Sequence, residues 1–271
     1  MFKQRLMTAL IMFPVTVAII LFTPSDNFSW LVMLLMLLGG WEWLGLTGIS
    51  RPLLRVGLLV VLAALMMFVS QLESLWHHAL MLFSVLFWFL LLNLLPFYTQ
   101  TETAEHRWQI MLRLLMYLLL PAAFISYSVL HNVVGAEYVL YVMLIAVTAD
   151  TGAYFAGKRY GKRKLAPEIS PGKTREGMLG GLAGVAVLSV LATFYFKLDI
   201  MAAVYVMLLS LLVAIISVVG DLFISLIKRE SGSKDSGNLL PGHGGILDRI
   251  DSHIATAPFF TLGMLWWQGA L

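Results

Sequence analysis

The sequence predicts an all-α polytopic membrane protein of about nine transmembrane helices with a cytoplasmic amino terminus. Of 271 residues, 60% are hydrophobic and 12% are charged. Soluble domains run about 45–50% apolar and about 25% charged. Nine runs approach the roughly 20 apolar residues that a bilayer requires, and the basic residues between them alternate in density. A soluble globular enzyme, a disordered chain and a nucleic-acid-binding domain are excluded. The absence of cysteine also excludes disulfides, thiolate nucleophiles and Cys-type metal sites.

The runs cover 7–23, 29–47, 53–71, 78–97, 109–130, 136–157, 177–196, 200–226 and 253–270. Lys3 and Arg5 precede the first. That run ends in Phe22-Thr23-Pro24-Ser25-Asp26 without a small-x-small cleavage site, which predicts an uncleaved helix. Arg51 and Arg55 follow the second run, Arg107 the fourth, and Arg113 stands just inside the fifth. Seven bases lie in the loop 158–176, and four lie in the loop 227–252. Of the 18 Lys and Arg, only Lys197 falls on the opposite side. Positive charge is retained inside, so both basic loops are expected in the cytoplasm.

The chain divides by charge. Residues 1–135 read as a scaffold of about five helices, with Glu42 between Trp41 and Trp43 as their one buried acid. The expectation there is an interfacial carboxylate paired with Arg51 or Arg55. Residues 136–271 read as the catalytic part. Gly177, Gly180, Gly181 and Gly184 make two overlapping Gly-xxx-Gly pairs, expected to allow close helix packing within the chain or in a dimer. His253 is expected to be structural. His77 and His78 have no third ligand nearby in sequence.

Two stretches carry chemistry. In the eighth run, Asp221, Ser225 and Lys228 are spaced to share one helical face. The chain continues through Arg229 and Lys234 to His243, which stands among Gly242, Gly244 and Gly245, and then to Asp248, Arg249 and Asp251. Glycines let backbone N–H groups approach an anion. Carboxylates suit a hard cation such as Mg²⁺ together with phosphate oxygens, and Lys and Arg suit the remaining phosphate charge. A purely topological loop does not account for Asp221, because an acid inside a membrane helix is costly.

The second stretch runs from Asp150 through the basic loop to Ser170-Pro171-Gly172-Lys173-Thr174. This is not a Walker A loop, since the Gly-x4-Gly-Lys spacing is missing. A Ser-Pro-Gly turn would instead set Lys173 near a helix start, where phosphate binds readily. Attraction to anionic lipid is a second use for such a loop.

From Ser225 to Asp251 the spacing Ser-x2-Lys-Arg-x4-Lys-Asp, a small residue, then His-Gly-Gly-x2-Asp-Arg-x-Asp resembles the signature of the phosphatidate cytidylyltransferases. The stretch from Asp150 to Gly177 is similar to that family's second block, although a further Lys is often expected where Gly172 stands. The short compact chain suits a bacterial inner membrane, and the resemblance implies a membrane enzyme that makes CDP-diacylglycerol and pyrophosphate from CTP and phosphatidic acid. It implies metal-binding aspartates at Asp221 and Asp248, essential roles for Ser225 and Lys228, Mg²⁺ with K⁺ as a second ion, and a homodimer. The remaining candidates are Arg249, Asp251 and His243 for catalysis, and Lys173, Arg229, Lys234, Gly244, Gly245 and Asp150 for substrate. Two rival readings are weaker. A CDP-alcohol phosphotransferase needs an Asp-x2-Asp-Gly-x2-Ala-Arg run that is missing here. A transporter using Asp150 and Asp221 would be expected to show repeat-related halves.

Overall fold

In hydrocarbon, backbone N–H and C=O groups must be satisfied within the spanning segment, and helices do this. The computed structural model describes residues 13–95, 105–237, 239 and 244–270, with side chains from 109 onward in the second stretch. Lys3, Arg5, the Arg107 side chain, Gly242 and His243 lie outside the described residues. The helices are α1 Phe13–Phe22, α2 Ser25–Leu46, α3 Pro52–Ser70, α4 Ser74–Leu94 and α5 Glu105–Val129, which runs into a π-helical turn Leu130–Val134. After Gly135 come α6 Ala136–Tyr160, the strands β1 Lys164–Ala166 and β2 Ser170–Thr174, and then α7 Arg175–Tyr195, α8 Ile200–Glu230 and α9 Leu247–Trp267.

The chain is an all-α, multi-pass membrane protein. Among the described residues, seven helices, α2 to α8, are long and apolar enough to cross a membrane. Phe22, Leu53, Phe68 and Phe194 project outward with more than half of their surface exposed. Such a surface needs lipid as its solvent. The expected ninth span is a different kind of helix. It starts at Leu247 rather than near 253, so Asp248, Arg249 and Asp251 ride on its first turns. Most of its length is buried, against α8, α5, α4, α6 and α2. Trp43, Trp88, Phe223 and Phe260 are fully buried, and Trp88 and Phe223 meet edge to face at 5.4 Å.

The glycine spacing does its work within the chain. A Cβ on Gly181 would stand 2.5 Å from the Ala149 carbonyl, and one on Gly177 would stand 2.8 Å from the Ala153 carbonyl. A Cβ on Gly180 would strike the Ala156 methyl group. Hydrogen in place of these methyls lets α6 and α7 run almost backbone to backbone.

Local signals set the helix starts. Asp199 caps α8 by accepting the Ala202 N–H at 2.8 Å, and Thr174 caps α7 by accepting the Gly177 N–H at 3.1 Å. The α8 helix has 31 residues, about 46 Å at ~1.5 Å per residue. A hydrocarbon core of about 30 Å is used up near Gly220 when counted from Ile200. The turns from Asp221 to Lys228 thus lie beyond the length that a span counted from Ile200 requires.

Candidate functional site

Four carboxylates and two lysines gather where α6, β2, α8 and α9 meet. Lys173 comes from β2, one residue before the cap of α7. Its Nζ lies 2.6 Å from Asp221 Oδ2, with both side chains about one-quarter exposed (23% and 26%). Asp150 on α6 and Asp251 on α9 are both within electrostatic range of Asp221 and Lys173. Ser225 donates to Asp221 Oδ1 at 3.2 Å, as the four-residue spacing predicts.

A second pair lies about two turns further along α8. Lys228 donates to Asp248 Oδ1 at 2.7 Å, and the two side chains are 13% and 10% exposed. Asp248 Oδ2 accepts the Ser236 and Gly245 N–H groups at 3.0 and 3.1 Å. Gly244 takes φ +80° beside this carboxylate, a conformation that favours glycine. The Gly245 N–H, expected to face substrate, is here directed at Asp248. Arg229 is exposed and donates through Nε to the Ile169 carbonyl at 3.3 Å. Lys234 and Arg249 are exposed at the rim.

The loop before α7 differs from expectation in its local form. Ser170 to Thr174 make a strand rather than a turn, paired antiparallel with β1 through Lys164–Thr174 and Ala166–Ser170. Glu176 Oε2 pins its base by accepting the Lys162 and Arg163 N–H groups, each at 3.0 Å. Lys173 still stands at a helix start. His253, expected to be structural, has Nδ1 2.8 Å from the Tyr127 hydroxyl.

Glu42 is the residue whose partner sequence reasoning missed. It pairs with neither Arg51 nor Arg55. Arg55 donates instead to the Ile49 carbonyl and lies over the Trp41 ring. Trp43, next to Glu42, is fully buried against Phe223. Glu42 is 3% exposed, and its Oε2 accepts the Ser236 hydroxyl at 2.9 Å and the Leu247 N–H at 2.8 Å. An acid inside a membrane helix was the available signal. Nothing local in the sequence identifies partners about two hundred residues away.

Hard oxygen donors suit a hard cation. Asp221, Asp248, Asp251, Asp150 and Ser225 supply only such donors. Among the described residues, no three or more Asp, Glu or His side chains are placed to hold a metal ion by themselves. Mg²⁺ typically takes one or two carboxylates and completes its shell with substrate phosphates and water, so this donor set fits.

Comparison with known proteins places the chain. A model described as "Cytidylyltransferase family" matches residues 3–266. The phosphatidate cytidylyltransferase of Pseudomonas aeruginosa is 38% identical over 272 residues, 99% of this chain and 98% of that protein. The phosphatidate cytidylyltransferase of Haemophilus influenzae is 34% identical over 282 residues, 96% of this chain and 98% of that protein. That of Bacillus subtilis is 46% identical over 125 residues, 46% of each chain.

Proposed function

Because the chain belongs to the cytidylyltransferase family, we propose that it joins CTP to phosphatidic acid, yielding CDP-diacylglycerol and pyrophosphate. A phosphatidate oxygen attacks the α-phosphorus of CTP. The bond from that phosphorus to the oxygen bridging it to the β-phosphorus breaks, and pyrophosphate leaves in line. Phosphatidate is largely ionised at neutral pH, so no strong base is needed, and His243 is assigned to phosphate contact. Lys173, Lys228, Arg229, Lys234 and Arg249 carry cationic charge to the triphosphate and the lipid phosphate. Asp221 and Asp248 would hold Mg²⁺, with Asp150, Asp251 and Ser225 around them and K⁺ as a second ion. The bound cation would neutralise phosphate charge and align the reacting groups.

The observation that supports this reading is the placement of the two ion pairs, Lys173–Asp221 and Lys228–Asp248. Each pair has one member on the last turns of α8, Asp221 in the first and Lys228 in the second, which we assign to head-group depth. Lipid phosphate reaches that depth from the bilayer and CTP reaches it from water. Placement in a bacterial inner membrane, a site facing the cytoplasm and a homodimer belong to the same proposal.

The test is pyrophosphate release from detergent-purified protein given CTP, phosphatidic acid and Mg²⁺. Wild type should need all three, and Asp248→Asn should lose at least about 10²-fold, the scale of lost transition-state charge stabilisation. A folded wild type that releases none refutes the reading, and flux into sealed vesicles would then favour a transporter.

A further inference from the structure

We infer that Glu42 is a positioning residue that ties Ser236 to Leu247 and thereby sets the orientation of the Asp248 carboxylate. This inference rests on the proposed function only for what Asp248 does. The geometry is independent of that role.

The two hydrogen bonds accepted by Glu42 Oε2 come from opposite ends of one segment, the hydroxyl of Ser236 and the N–H of Leu247. Next to those ends lie the two N–H groups that hold Asp248 Oδ2, from Ser236 and Gly245. Ser236 thus bridges the carboxylates, with its hydroxyl on Glu42 and its amide on Asp248. With both ends tied to one oxygen, the two amides facing Asp248 hold their separation. They occupy Oδ2 and leave Oδ1 to Lys228.

Glu42 itself is held firmly. Its neighbour Trp43 is fully buried against Phe223 on α8. Gly237 and Gly245 make room for the Glu42 side chain, because a Cβ on either would collide with it. Among the described residues, Oε1 has no hydrogen-bond partner. A carboxylate buried this way is costly where general packing is the only gain, since apolar side chains fill such sites as well or better. Two convergent bonds on one oxygen make sense for a clamp. Partners that orient a metal ligand typically change metal affinity or activity by about 10–100-fold when removed.

The experiment is direct Mn²⁺ binding, by electron paramagnetic resonance on the purified full-length protein without substrate, together with amide hydrogen exchange over 236–247. Glu42→Ala should weaken Mn²⁺ by about 10–100-fold and speed exchange at Gly245 and Leu247. Glu42→Gln, whose carbonyl oxygen can accept both bonds, should recover most of either loss. Should Glu42→Ala not fold, Ser236→Ala removes one of the two bonds and must show the same two effects in weaker form. Wild-type Mn²⁺ affinity and exchange in Glu42→Ala overturn the clamp. So does equal loss in Glu42→Ala and Glu42→Gln alongside lower thermal stability, which makes Glu42 a packing residue. If Asp248→Asn binds Mn²⁺ like wild type, the metal assignment fails while the exchange result still decides the clamp.

Discussion

Gly181→Ala is the sharpest test of how the fold holds the site. The added methyl would stand 2.5 Å from the Ala149 carbonyl oxygen. Ordinary carbon–oxygen contacts are about 3.3–3.6 Å, so α6 and α7 must part by about 1 Å. They have no side chain to yield, since the obstruction is backbone. Overpacking of this kind costs about 1–3 kcal/mol. It is also badly placed for function. Ala149 precedes Asp150, and Lys173 is tied to the start of α7. A shift of about 1 Å between reacting groups can cost about 10²-fold in rate. The assays are half-life at fixed temperature in detergent, because membrane proteins often unfold irreversibly, and pyrophosphate release per folded molecule. Gly57→Ala is the control, as a Cβ there meets nothing within 4 Å, and it should be neutral in both assays. A Gly181→Ala protein with wild-type half-life and rate would refute the packing argument.

Two further outcomes follow from single contacts. Tyr127→Phe removes the hydroxyl 2.8 Å from His253 Nδ1. It should lower stability by about 1–3 kcal/mol, the cost of a buried unsatisfied polar group, while the rate per folded molecule stays at wild type; a large fall in kcat with unchanged stability would show His253 to be part of the chemistry. Glu176→Ala frees the Lys162 and Arg163 amides, so trypsin should cut within 162–164 faster than in wild type, and unchanged cleavage would show that the hairpin holds without it.

Much of this architecture is legible in the chain because the responsible forces are local. Hydropathy finds the spanning helices, and four-residue spacing puts Ser225 within reach of Asp221. The glycines of α7 announce a close neighbour, although spacing alone does not say whether that neighbour is α6 or a second copy. What escaped depends on contacts across the fold. Lys228 shares a helical face with Asp221, yet its flexible stem carries the ammonium to Asp248 on α9. The hairpin escaped because β1 has three residues and β2 includes Pro171 and Gly172, poor strand formers on propensity. It is held by Glu176 and by the Arg175 N–H on the Arg163 carbonyl at 2.8 Å. Glu42 was legible as an anomaly, but the nearest arginines in sequence were the wrong partners.

Charge balance explains why the site is paired as it is. A lone carboxylate or ammonium with little access to water is unfavourable, and removing one member of a buried pair commonly costs about 3–5 kcal/mol. Both pairs approach that regime: Lys228–Asp248 stands at 13% and 10% exposure, and the Nζ of Lys173 is itself buried although the Lys173 and Asp221 side chains are 23% and 26% exposed. Under the proposed reaction, a triphosphate offers each lysine a new anionic partner. A cation accompanying the nucleotide offers the same to each carboxylate, so both members of a pair are compensated together. Asp248 accepts two backbone N–H groups besides Lys228 and, under the proposed clamp, is braced through Ser236 by Glu42, which makes it the member of these pairs with the most contacts to lose.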